Sequence, residues 1–151
     1  MSLSLSSTFT SAAKIFICFT IGIASYELIK SQSDSRSIDP KCALSSIHCT
    51  IDDATLSLAK DKVNPMVSNT LSVEWNKLPT EVDSLMLSLE GHEMMMGTYK
   101  LLLKRSADNT FSGDLLLPVC TSDAMTWLGT ITPINDTSHA SPLPISVRMT
   151  Q

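Results

Sequence analysis

Ser84-Leu85-Met86-Leu87-Ser88-Leu89-Glu90 decides the fold class, because leucine occupies every second position of this run. Side chains alternate across a β-strand, so Leu85, Leu87 and Leu89 share one face and build one buried layer. The same period recurs on both sides of the run. Upstream it appears in Ala54, Leu56 and Leu58 and again in Leu71, Val73 and Trp75. Downstream, Tyr99, Leu101 and Leu103 alternate with Lys100 and Lys104, and Ser106-Ala107-Asp108-Asn109 supplies a turn. Phe111, Gly113, Leu115 and Leu117 form the return face of that hairpin. Met125, Trp127, Gly129 and Ile131 mark the next strand, and Ile145, Val147 and Met149 a last one after Pro142-Leu143-Pro144. No stretch after residue 50 sustains a 3.6-residue period. About seven short strands in roughly 100 residues predict an all-β domain, an immunoglobulin-like antiparallel β-sandwich with Trp75 or Trp127 at its centre.

The chain has 151 residues, room for one such domain and little more. Its first part has a different character. From Ala12 to Ile29 the sequence is apolar apart from Lys14, Glu27 and a few small polar residues, close to the shortest helix that crosses a bilayer. An uncleaved anchor is expected over residues 1–30, since apolar character continues through Tyr26, Leu28 and Ile29. A signal peptide cleaved after Gly22-Ile23-Ala24 also fits, as does a buried helix. Residues 31–49, Ser/Asp-rich at first and then holding a cysteine pair, read as a stalk, and 50–151 as the β domain.

Lys30, Arg36 and Lys41 follow the span, which by the positive-inside rule places the long part in the cytoplasm. Paired cysteines and the export habit of short apolar N-termini point the other way. The expected location is therefore the bacterial inner membrane, single-pass, with the domain facing the periplasm.

Of the four cysteines, Cys18 lies in the apolar span, leaving three for the rest of the chain. Cys42 and Cys49 are separated by six residues, unlike the two-residue spacing of zinc knuckles or thioredoxin-like sites. The short loop favours a Cys42–Cys49 disulfide with Cys120 free; the rival is Cys120 paired with either of them.

The formal charge is −4, from 11 basic and 15 acidic residues, and no Lys/Arg cluster resembles a phosphate-backbone surface. No nucleic-acid partner is expected. His48, His92 and His139 lie far apart with no nucleophile motif, phosphate loop or His-Glu-x-x-His helix, so no enzyme is expected either. Asn135-Asp136-Thr137 matches a glycosylation sequon and reads as a turn.

The chemistry-bearing stretch is His92-Glu93-Met94-Met95-Met96-Gly97. If the alternation continues through it, His92, Met94 and Met96 share one face, with the two methionines roughly 6.5–7 Å apart along the strand. Thioether, thiolate and imidazole together suit Cu(I), which makes Met94, Met96, Cys120, Met125 and His92 a coherent candidate ligand set. Adaptable packing beside Trp127 explains the same methionines without a metal.

Met94-x-Met96-Gly97, Phe111-x-Gly113, Leu117-Pro118-x-Cys120 and Met125-x-Trp127, behind Cys42-x6-Cys49 and an N-terminal anchor, resemble an uncharacterised family of small bacterial membrane-anchored proteins. That family is associated with cytochrome oxidase assembly and is similar to the FixH and YtkA-like β-sandwich proteins. The resemblance covers roughly residues 12–132 and implies an extracytoplasmic accessory protein acting in copper delivery or oxidase maturation, with oxidase-assembly or copper-delivery proteins as partners. His92 and Met95 fall outside its pattern. The alternative from another class is a metal-free protein–protein interaction module of the cell envelope, using a sheet edge or the Met-rich surface.

Overall fold

A computed structural model describes residues 39–135 and 139–151. The membrane span and the first part of the linker expected from the sequence lie outside the described residues. All regular structure among the described residues is β: β1 (Cys42–Leu44), β2 (Cys49–Ile51), β3 (Ala54–Leu58), β4 (Asn69–Trp75), β5 (Ser84–Gly91), β6 (Thr98–Ala107), β7 (Thr110–Leu115), β8 (Ala124–Pro133) and β9 (Leu143–Thr150).

Each of the seven alternating segments is a strand. There are two additional strands: β1 lies within the stretch expected to be a stalk and β2 straddles its end, so regular β pairing begins at Cys42. Three residues each are too few to display a period, and only pairing to β9 and β3 reveals them.

The nine strands form one hydrogen-bonded sheet in the order β1-β9-β8-β5-β6-β7-β4-β3-β2. Its two ends meet. Cys42 of β1 and Cys49 of β2 are joined by the expected disulfide, and Leu58 N–H donates to Ser45 C=O at 2.8 Å. The sheet is thereby nearly closed into a barrel, and the facing layers expected of a sandwich are opposite sides of one curled ladder.

Inward positions follow the sequence period. Leu85, Leu87 and Leu89 of β5 are fully buried, as are Met125, Trp127 and Ile131 of β8 and Phe111 of β7. Each buried leucine contributes about 2 kcal/mol of hydrophobic free energy before entropy is counted. The rings of Tyr99 and Trp127 meet edge-on with centroids 6.3 Å apart, while the buried Trp127 N–H has no hydrogen-bond partner, at a cost of about 1–3 kcal/mol. Gly129 pairs with Leu89 across the β5–β8 ladder, where a Cβ would overlap the Ser88 carbonyl and lie 2.9 Å from Leu89 Cα. No larger residue fits without parting the strands.

Strand direction sorts the connections into two poles. One pole collects segments 45–48, 59–68, 92–97 and 116–123 and the end of β9; the other collects 52–53, 76–83, 108–109, 134–135 and 139–142 and the entry into β1.

Candidate functional site

Residues 92–97 form the β5–β6 loop at the first pole and not a strand, which corrects the parity argument for the methionine stripe. His92 still extends the ladder by one bond, its N–H donating to Thr126 C=O at 2.9 Å. Glu93 then turns the chain. Its carboxylate accepts from Thr126 N–H at 2.7 Å, Thr126 Oγ1 at 2.8 Å and Arg148 Nη1 at 2.8 Å, tying the loop to β8 and β9. Gly91 completes the turn, since a Cβ there would collide with the Met125 methyl and the Met94 carbonyl. Gly97, at φ +73°, brings the chain back into β6.

Burial alone would raise the Glu93 carboxyl. The hydrogen bonds from Thr126, from its own backbone N–H and from Arg148 outweigh it and lower the pKa from 4.5 to about 2. Glu93 is thus an anionic clasp, and neither it nor Thr126 and Arg148 stood out in the sequence.

The candidate ligands fall at different depths. His92 and Met94 are exposed, Met96 is half-buried against the core, and Met125 is fully buried beneath Gly91. Cys120 belongs to the 116–123 segment, where its buried thiol donates to Ser122 C=O at 3.3 Å and accepts from Ser122 Oγ at 3.5 Å. The Met125 methyl and the Met94 backbone carbonyl both lie against Gly91, while Cys120 is engaged by its own loop. Soft donors are present in the 92–97 loop, and the thioether of Met95, which the ligand set left out, is the most accessible of them at 99 % exposure. Among the described residues no three His, Cys, Asp or Glu side chains gather into a metal-binding group.

The wider pole was not anticipated. Among the described residues the large exposed hydrophobic ones are Ile47, Met66, Val67, Met94, Met95, Leu102, Leu116 and Val119, and all except Leu102 lie in its four loops. Three of those loops are tied to one another, and the third is tied to β6 just past the fourth. Ser46 N–H and Oγ reach Asp61, Met66 N–H donates to Leu117 C=O at 2.9 Å, and Leu116 N–H donates to Tyr99 Oη at 3.2 Å. Val63 crosses the barrel mouth, pairing with Met149 and accepting from Thr150 N–H at 3.0 Å. Asn69, almost fully buried, bonds both the N–H and the C=O of Lys60 and fixes the root of that crossing. The result is a supported apolar end surface with Lys60 and Lys62 exposed at its rim. Isolated apolar residues carry no such signal in sequence, because only the barrel brings four separate loops together.

No family model, curated protein or solved structure matches the chain. The resemblance to the oxidase-assembly family therefore stands on the motifs quoted above.

Proposed function

We propose that this chain is a metal-free protein–protein interaction module of the cell envelope, held at the bacterial inner membrane by its N-terminal span with the β domain in the periplasm. Its docking surface is the apolar pole. One observation carries the reading: among the described residues, every large exposed hydrophobic residue but Leu102 lies in the four loops of that pole. Apolar side chains gathered at one end of a firm scaffold are a mark of protein recognition. The Cys42–Cys49 disulfide is compatible with an oxidising compartment.

The test is site-specific photo-cross-linking in intact cells from position 95, with position 77 on the opposite pole as control. A discrete adduct from 95, absent from 77 and abolished by Ile47→Ser plus Val119→Ser in the folded protein, supports the module. Equal adducts from both positions, or an adduct indifferent to the serine substitutions, overturn it.

A second reading is favoured by the run Met94-Met95-Met96 beside His92, which offers thioethers and an imidazole on one loop. Here the protein is a membrane-anchored accessory that binds Cu(I) in cytochrome oxidase assembly. Met94 and Met96 would be the core donors, with His92, Met125 or Cys120 completing the set. A Cu(I) competition titration of the reduced protein against Met94→Leu plus Met96→Leu decides it: equal affinity removes copper from this loop.

A further inference from the structure

We propose that Met95 is an oxidation site for hydroperoxides, and that its sulfoxide weakens docking at the apolar pole. The consequence for docking rests on the function proposed above; the oxidation does not.

Thioether oxidation follows access to the sulfur, and the described methionines differ widely in access. Met95 is 99 % exposed and Met66 63 %, whereas Met125 and Met149 are fully buried in the barrel. Cys120 does not compete, because its thiol is buried and hydrogen-bonded at both ends to Ser122. Cys42 and Cys49 are already bonded to each other. An oxidant arriving from solvent therefore meets the Met95 sulfur before any other described sulfur.

The step is a two-electron oxygen transfer. The Met95 sulfur lone pair attacks the distal oxygen of hydrogen peroxide, the O–O bond breaks, a proton shifts to the leaving oxygen, and sulfoxide and one water result. Sulfur is oxidised and peroxide reduced, with no further reactant required.

The loop is built to survive this change. Its backbone is held by Glu93 on Thr126 and Arg148 and by His92 N–H on Thr126, so no support runs through the Met95 side chain. What changes is the surface, where an apolar thioether at the tip becomes a polar S=O group. Oxidation at Met125 would behave differently, since it would place that group inside the core beneath Gly91.

The experiment treats the full-length protein with hydrogen peroxide and follows oxygen uptake at each methionine by peptide mass mapping. In parallel, retention on a phenyl resin is measured for wild type and Met95→Leu, which keeps an apolar tip without sulfur. Met95 should gain oxygen roughly tenfold faster than Met125 and Met149, with Met66 and Met94 between them. Singly oxidised wild type should elute earlier than untreated protein, and brief peroxide treatment should leave Met95→Leu retention unchanged. Uptake at Met125, Met149 or Cys120 as fast as at Met95 overturns the site. Oxidation of Met95 without a change in retention overturns the switch. Failure of the docking surface itself is distinguishable, because unoxidised Met95→Ser would then be retained as well as wild type.

Discussion

The two poles of the barrel are built from the same strands and finished differently. At one, Asp52, Asp53, Glu81, Asp83 and Asp108 lie among the turns, and none of the large exposed hydrophobic residues occurs there among the described residues. Arg105 organises this end from within. Its guanidinium donates to Pro79 C=O at 3.1 Å, twice to Val82 C=O and to Asp108 C=O, and stacks 4.6 Å from the Phe111 ring centre. A charge spent on backbone carbonyls and an aromatic face consolidates turns. At the other pole the internal ties are as thorough, through Glu93, Asn69 and Val63, yet the outward side chains are Ile47, Met66, Val67, Met94, Met95, Leu116 and Val119. Stability therefore does not require the apolar tips, since the acidic pole is held without them, and the contrast teaches that their reason lies in what they meet.

The wall shared by the poles should show the largest effect. Gly129→Ala forces a methyl group into the Ser88 carbonyl and should destabilise the fold by about 3 kcal/mol in denaturant unfolding, loosening amide protection at both ends alike. Loss confined to one pole would mean that the two are not coupled through β5 and β8. Next is the seam: Cys42→Ser plus Cys49→Ser removes the link between the terminal strands and should cost about 2–3 kcal/mol, read from the same unfolding curves. The matching change at the acidic pole is Arg105→Ala, which removes the guanidinium donors from the Val82 and Asp108 carbonyls and leaves Pro79 C=O with the Val82 N–H alone; it should cost about 2 kcal/mol while leaving phenyl-resin retention unchanged.

The Glu93 clasp offers a pH-dependent contrast. Its folded pKa is about 2 against an ordinary 4.5, so the ionised carboxylate stabilises the fold above about 4.5 and that contribution is lost as pH falls toward about 2. In melting curves, wild type should exceed Glu93→Gln at neutral pH and converge with it across this window. A constant gap would show that the clasp works by shape and not by charge. The smallest stability effect belongs to Met95→Ser, within about 0.5 kcal/mol of wild type because the side chain touches little, although retention on phenyl resin should fall.

The all-β class and the seven longer strands were legible because one buried face imposes a period of two on every run long enough to show it. The disulfide was legible too, from a short loop between two cysteines outside the apolar span. The candidate site was legible only as a composition. Met94, Met95 and Met96 mark a sulfur-rich segment, but nothing in the local pattern shows that the strand ends at Gly91.

Local sequence thus determined which of the longer segments are strands and which of their faces turn inward, since both follow from neighbours one or two positions away. The tertiary structure alone decided that β1 and β2 close the sheet, that four loops form one apolar pole, and that residues 92–97 leave the ladder. Each of these depends on distant partners: Thr126 and Arg148 stand 33 and 55 residues beyond Glu93, and Met149 lies far from Val63 along the chain. Hydrogen bonds across such separations leave no periodic trace, so they enter only when the barrel brings their two ends within reach.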